Sequence, residues 1–361
     1  MAAVKGRVLV GMSGGVDSAV TAALLKEQGW EVTGAFVCMG RASDPGAEGS
    51  GCCSPQDAAD ARRVAGLLGV DLFVLDAAAD FERVIDAFAA EYAAGRTPNP
   101  CIGCNRDIKF GRLLRRAREV GFDAVATGHY ARVVDHAGAP ALARARALAK
   151  DQSYVLFELP RQALGRLVLP LGEVESKAEV REHARRLGLP VHDKPDSQEI
   201  CFVPDGDHAE VLAARAPRAL TPGPIVDEVG RVLGRHDGYG RYTIGQRRGL
   251  GVAGPARRYV TAVDPATATV ALGPREATRL AGLVASRASW QAAVEPDAAV
   301  AVQVRSGHRA SPARLRGGGG ERFEVAFEAP VEAAAPGQAA VAYRGDVLLG
   351  GGWIERTRGA R

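Results

Sequence analysis

A chain of 361 residues that is 47% hydrophobic and 24% charged has the composition of a globular protein with room for two or three domains. No apolar run is long enough to cross a bilayer and Met1–Gly6 lacks signal-peptide anatomy, so a cytoplasmic setting with no membrane partner is expected. A net charge of +4 permits a polyanionic partner without demanding one, and six cysteines in such a setting are not a disulfide framework.

Val8-Leu9-Val10 reads as a short buried strand that runs into Gly11-Met12-Ser13-Gly14-Gly15-Val16-Asp17-Ser18, and Ala19 to Lys26 has apolar residues at helical spacing. A strand, a glycine turn and a helix start make an anion site, because backbone N–H groups and the helix dipole both face the turn. Ser13 and Ser18 add hydroxyl donors, Gly14 and Gly15 let the backbone close on a phosphate, and Asp17 can hold a cation. The common nucleoside-triphosphate loop is excluded, since its G-x-x-x-x-G-K-[ST] lysine is missing.

Downstream, Glu31–Val37 reads as a strand, Asp57–Leu68 as a helix ended by Gly69, and Asp71–Leu75 as a strand. Phe81–Tyr92 and Phe110–Val120 read as helices, the second stopped by Gly121, and Ala124–Thr127 as a strand. Such alternation predicts a parallel sheet with helices on both faces, with ligands at the carboxyl ends of the strands. The first loop, Val37 and Gly128-His129 therefore share one edge. Arg41–Ser54 is an expected mobile insertion, and its Cys52-Cys53 has no role that the residues suggest. Gly95–Asn105, with prolines bracketing Asn99, is expected to be extended or turned rather than helical. Cys101-Ile102-Gly103-Cys104 is a C-x-x-C, by itself ambiguous between a redox pair and a metal half-site. Cys104 is expected just ahead of a helix start and near Arg106 and Lys109, both of which favour thiolate. Ser176 is the expected N-cap, and Gly188 the stop, of a helix within Glu173–Leu187.

Beyond about residue 205 glycine and proline recur every few residues among short β-like runs, including Thr221–Asp227, Arg258–Val263 and Ala268–Leu272. Val300–Val304, Arg322–Phe327 and Val347–Ile354 continue the style, with a hairpin tip at Gly317–Gly320. The expected division is a catalytic α/β domain over 1–204, a central β-rich domain over 205–275 and a C-terminal β-barrel over 276–361. Gly245-Gln246-Arg247 reads as a structural turn.

Ser-Gly-Gly-Val-Asp-Ser resembles the pyrophosphatase loop of enzymes that split ATP into AMP and pyrophosphate, an adenine nucleotide α-hydrolase-like fold. In order along the chain stand Gly-Arg-Thr-Pro-Asn-Pro at 95–100, Cys-Asn at 104–105, Thr-Gly-His-Tyr at 127–130, Lys-Asp-Gln-Ser-Tyr at 150–154 and Ile-Cys-Phe at 200–202. Thr-Ile-Gly-Gln-Arg at 243–247, Pro-Gly-Gln at 336–338 and Leu-Gly-Gly-Gly at 349–352 follow. This ordered set resembles the tRNA-specific 2-thiouridylase (MnmA) family from end to end.

The resemblance implies that ATP, held by Gly11 to Ser18 with Val37 and Gly128 beside the nucleotide, adenylates the C2 oxygen of a wobble uridine. Sulfur then arrives as a persulfide on Cys201, delivered by a sulfur-relay protein. Cys104 is the other catalytic cysteine, and a Cys104–Cys201 disulfide closes the cycle. Mg²⁺ would offset charge on the separating phosphates. By the same matching, Thr97, Pro98 and Asn99 meet the target base, and His129, Lys150, Asp151, Gln152, Arg305, Ser306 and Gln338 contact the anticodon region of tRNA. Two departures stand out. Cys101 replaces a common aspartate, which leaves the general acid/base unassigned and makes Cys101, Cys104 and Cys201 a conceivable three-thiolate iron–sulfur set. Val37 stands where methionine is common, and Ser306 where an aromatic is.

Overall fold

In a computed structural model of the chain the described residues are 5–40, 54–196, 200–203, 206–252, 256–332 and 334–360. The chain divides into two units. One comprises Met1–Val84, Cys101–Asp205 and Asp346–Leu348; the other comprises Ile85–Pro100, Gly206–Gly345 and Leu349–Arg361.

Val8, Leu9 and Val10 have no exposed surface, as a strand covered on both faces requires. This strand, β1 (Arg7–Gly11), is the centre of the first unit's sheet. It pairs in parallel with β2 (Glu31–Cys38) on one side and β4 (Ala124–Ala126) on the other; β3 (Leu72–Asp76) flanks β2, and β7 (Leu167–Val168) flanks β4. The chain builds outward from β1 to β3, then returns to the far side of β1. That reversal makes the gap between β1 and β4 the switch point at which open parallel sheets bind ligands.

Helix α1 (Val16–Glu27) follows β1 and is buried over most of its surface. Its Val20 and Leu25 share a core with Val180 and Ala184 of α6 (Lys177–Arg186). The termini follow the chemistry expected of them. Ser54 and Asp57 form a capping box on α2 (Pro55–Leu68), and Gly69 closes it in the left-handed region. Ser176 accepts from Glu179 N at the start of α6. Helix α3 spans Ala78–Ala93, and α5 (Gly111–Val120) ends at left-handed Gly121.

One expectation fails between these helices. Pro100–Asn105 is helical: α4 (Pro100–Gly103) runs directly into a π-wound turn, Cys104–Phe110, and on into α5. Pro100 opens the helix, where a missing N–H costs nothing. Cys104 therefore lies inside the helical run rather than ahead of it. A hairpin, β5 (Ala131–His136) and β6 (Ala139–Arg144), was not legible in the sequence.

The second unit is β-rich. Strands β8 (Gly223–Val226), β9 (Val232–His236), β10 (Tyr259–Asp264) and β11 (Thr269–Gly273) form one sheet. The remaining strands are β12 (Arg279–Trp290), β13 (Ala298–Gln303), β14 (Ser311–Arg316), β15 (Phe323–Glu332), β16 (Ala339–Arg344) and β17 (Val347–Gly359). They run in the order β12-β15-β14-β13-β16-β17, and β12 pairs with β17, which closes an antiparallel barrel without edges. Phe323, Val325, Leu283 and Leu349 fill its core. Gly317–Gly320 is the turn between β14 and β15, as the glycines predict.

Glycine is needed at two places beside β1. Gly14 has φ +77°, and a Cβ there would overlap the backbone of Asp57. A Cβ on Gly128 would lie 2.8 Å from Asp17 C and Ser18 N. Gly15 has no such neighbour, so its side is open. Gly14→Ala is expected to cost about 2 kcal/mol or more through combined strain and overlap, while Gly15→Ala leaves the melting temperature near wild type. Thermal unfolding of the two variants checks the difference.

Candidate active site

The loop after β1 is braced from within. Met12 N donates to Ala35 O at 2.8 Å, and Ser13 N donates to Ser18 Oγ at 3.1 Å. Ser18 Oγ donates in turn to Gly15 O at 3.0 Å, so this buried hydroxyl holds the loop's shape while the exposed Ser13 faces outward. The side chains of Met12 and Val16 belong to the core. Gly128, following β4, abuts Asp17 and Ser18 across the switch point. Val37 lies further along the same edge, in register with Leu75.

Asp17 does hold a cation, and the cation belongs to the chain. Lys177 Nζ, at the start of α6, donates to both carboxylate oxygens at 2.7 and 2.8 Å, and Tyr130 OH donates to Oδ1 at 2.7 Å. Burial, then the Asp17 carboxylate, push the Tyr130 phenol far above its ordinary range, so it remains a donor. Lys177 also reaches Asp196 at 2.9 Å, which Lys150 bonds at 2.8 Å and Arg181 at 3.3 Å. Burial works against the charge of Asp196, but the Lys150 and Lys177 ammonium groups overcome it and hold the carboxyl down at about 2. A third lysine, Lys194, donates to Gly14 O at 3.1 Å and to Asp57 and Asp60 at 2.7 and 2.6 Å. Burial alone would lower its pKa; the two carboxylates raise it instead. Two of the chain's few lysines, Lys177 and Lys194, thus contact the loop, and Lys150 joins them through Asp196. Each is a compact point charge of the kind that suits phosphate. None of Lys177, Lys194, Tyr130, Arg181 or Asp196 was assigned to the site from sequence.

The other sequence-derived residues divide by what their side chains touch. Asp151 is built into the fold: it accepts from Arg144 Nη1, Ala145 N and Ser153 Oγ at 2.8 to 3.0 Å. Gln152 Oε1 accepts from Tyr130 N at 2.9 Å, fixing the strand end that carries the tyrosine. His129 is buried against Phe110, with Nδ1 2.8 Å from Thr127 Oγ1; burial, aided by Lys109, lowers its pKa to about 3, so the ring is neutral. In the second unit Gln338 Nε2 donates to Thr97 O at 2.9 Å and Pro98 O at 3.2 Å, and Thr97 N donates to Pro336 O at 2.8 Å. The Pro336–Gln338 turn therefore fixes the Thr97-Pro98 backbone that leads to Asn99. Arg305 and Ser306 are exposed after β13.

Cys104 is buried, Cys201 half-buried and Cys101 exposed. Among the described residues no three His, Cys, Asp or Glu side chains are grouped to hold a metal ion. The π-wound turn of Cys104 ends at Phe110, which packs 5.3 Å from the His129 ring at the carboxyl edge. Cys201 lies five residues beyond Asp196, so its Cα is at most about 18 Å from that of Asp196. Phe202 packs edge-on against Phe81 at 5.7 Å. Ser197 to Glu199, Cys52 and Cys53 lie outside the described residues. No helix among the described residues is long and apolar enough to cross a membrane.

A glycine loop at the switch point of a parallel sheet flanked by helices defines an α/β domain of the nucleotide-binding type of fold. Residues 6–205 match the family described as tRNA methyl transferase HUP domain, 209–274 its PRC-barrel domain, and 280–354 the aminomethyltransferase beta-barrel domain. The tRNA-specific 2-thiouridylase MnmA of Chloroflexus aurantiacus is 49% identical over 353 residues, covering 97% of this chain and 98% of its own. The protein of that name from Carboxydothermus hydrogenoformans is 49% identical over 360 residues, with coverage of 97% and 98%. That from Paramagnetospirillum magneticum is 46% identical over 360 residues, with coverage of 98% and 96%. The chain belongs to the tRNA-specific 2-thiouridylase family.

The low pKa of Asp196 gives the network an acid limb. A carboxyl held at about 2 against an ordinary 3.8 adds stability that is complete above about pH 4 and is lost as pH falls toward 2. Wild type is therefore expected to exceed Asp196→Asn in urea midpoint at pH 6 and to converge with it near pH 2. Urea titrations across that window check the convergence; a gap independent of pH contradicts it.

Proposed function

We propose that the chain catalyses ATP-dependent 2-thiolation of the wobble uridine of tRNA. The observation that carries this reading is the continuous ionic chain from the phosphate loop to the sulfur limb. Asp17 is bound to Lys177, Lys177 to Asp196, and Asp196 stands five residues ahead of Cys201. The names of the relatives supply the reaction class.

In the first step the uridine C2 oxygen attacks the α-phosphorus of ATP, the bond to pyrophosphate breaks, and an O-adenylated base forms. A pyrimidine carbonyl oxygen becomes a leaving group only in this way. The loop over Gly11 to Ser18 binds the phosphates, and Lys177 leaves Asp17 to meet them. Mg²⁺ on the phosphates would offset their charge, and Asp17, so released, is the carboxylate suited to share it. In the second step the terminal sulfur of a Cys201 persulfide attacks C2 and AMP departs with the original oxygen. The Cys104 thiolate then attacks Cys201 Sγ, the sulfur–sulfur bond to the base breaks, and 2-thiouridine leaves. The two electrons that reduce the sulfane sulfur come from the two cysteines, which end as a disulfide. An external thiol reduces it, and a persulfide-delivering protein reloads Cys201.

The target base must leave its stack to be reached. Thr97-Pro98-Asn99 receives it on a backbone that Gln338 fixes, so Gln338 serves tRNA through that segment. Lys150, Arg305 and Ser306 meet tRNA from the surface. His129 serves only as a neutral group, and Asp151 and Gln152 hold the frame behind Lys150 and Tyr130.

Mass spectrometry of tRNA incubated with ATP, Mg²⁺ and a persulfide source tests this. Wild type is expected to yield 2-thiouridine. Cys201→Ser is expected to yield at least about 1,000-fold less while still releasing pyrophosphate in the presence of unmodified tRNA. Thiolation by Cys201→Ser at the wild-type rate overturns the sulfur route.

A further inference from the structure

The Thr243–Arg248 turn and the entry to β10 enclose a groove of about 690 Å³ in the second unit. Arg247, Arg257 and Arg258 line it together with Leu250, Val252 and Leu272, and no acidic residue does. Arg248 is adjacent in sequence. Arg247, Arg248 and Arg257 are exposed and Arg258 is half-buried. Among the described residues no carboxylate pairs with any of the four. Some exposed arginines of the same unit do have such partners, Arg231 with Asp227 and Arg275 with Glu332, and others such as Arg235 and Arg316 have none among the described residues; what sets the four apart is that they are gathered at one groove.

This cluster is also held in place. Gly245 N donates to Val260 O at 2.8 Å, and Val260 N donates to Gln246 O at 3.0 Å, so the turn is stitched to β10 like an extra strand. The Gln246 side chain closes it: Oε1 accepts from Thr243 N and Nε2 donates to Arg248 O, both at 3.0 Å. Leu250 is buried and anchors its far end. Two backbone segments are thus locked side by side, each carrying a pair of adjacent arginines. Four uncompensated guanidinium groups repel one another, a cost that an anion would remove. The guanidinium fork matches phosphate oxygens, and a shallow open groove admits a chain of phosphates better than it encloses a single small ion.

We infer that this groove is a phosphate-backbone contact for RNA, separate from the residues that the family resemblance assigns to tRNA. The inference rests on the thiolation reading for its substrate and goes beyond it in placing a binding surface on the central sheet. Gly245-Gln246-Arg247 is then more than a turn: its hydrogen bonds present Arg247 and Arg248.

The test measures binding of unmodified tRNA by fluorescence anisotropy across a salt series. Wild type is compared with the fourfold variant Arg247→Gln, Arg248→Gln, Arg257→Gln, Arg258→Gln and with the matching fourfold lysine variant. The glutamine variant is expected to bind at least about tenfold more weakly near 0.1 M salt, with the slope of log K against log salt shallower by about 3. The lysine variant, which keeps the charges, is expected to retain most of the slope. Equal Kd and slope in wild type and the glutamine variant overturn the inference, as does weakening in both variants alike, which would report a damaged fold. Titration of inorganic phosphate separates the sources of the anion: saturable millimolar binding lost in the glutamine variant without any loss of tRNA affinity overturns the RNA assignment. If wild type neither binds nor thiolates tRNA, the proposed function itself fails; if it does both and the glutamine variant binds equally well, only the groove does.

Discussion

One carboxylate organises the first unit. Asp17 stands in the first turn of α1, where the loop, the helix and the end of β4 converge, and it is met by a lysine 160 residues away. A partly buried ion pair of this kind contributes little net stability, because removing both charges from water offsets their attraction, yet deleting one partner leaves the other exposed to the full penalty. Its effect is therefore positional. It keeps the start of α6 against the phosphate loop, and through Asp196 it fixes the point from which the Cys201 segment departs. Lys194 repeats the device on the other side, tying Gly14 to the first turn of α2. The backbone of the loop is thus fixed by bonds from within the chain.

The same logic of fixed backbone and open chemistry recurs in the second unit. Gln338 holds the carbonyls of Thr97 and Pro98 from 240 residues away, leaving Asn99 at the end of a braced segment. Gln246 does the equivalent for Arg247 and Arg248. In both cases an amide side chain bonds backbone groups and so fixes the segment beside it.

What the sequence disclosed was what short-range pattern encodes. The β1 strand, the glycine loop, helix α1, the Ser176 cap and the Gly69, Gly121 and Gly188 stops all follow from neighbours within a few residues, and all are present; the Ser54 capping box, in a stretch read as a loop, was not foreseen. The lysine network was hidden because a lone lysine, whether at a helix start like Lys177 or at the end of a turn like Lys194, has no local mark that distinguishes a solvated side chain from one with a distant partner. Pro100 misled for a different reason: two prolines around Asn99 read as extended chain, although a proline can equally begin a helix. Strand β16 was missed because half of its residues are alanine, which carries little β preference until the barrel closes around it. The roles of Asp151, Gln152 and Gln338 show the same limit. A motif locates them but does not reveal that their side chains bond the chain itself.

In the proposed reaction Lys177 exchanges Asp17 for the phosphates when ATP binds. A double-mutant cycle on ATP affinity addresses this directly, using Lys177→Met, Asp17→Asn and the pair, each measured by equilibrium binding with Mg²⁺ present. If Lys177 moves to the nucleotide, its removal weakens ATP by at least about tenfold, and Asp17→Asn in the same chain does not restore it. If the pair binds ATP as tightly as wild type, Lys177 is only the counter-ion of Asp17, and the exchange is contradicted.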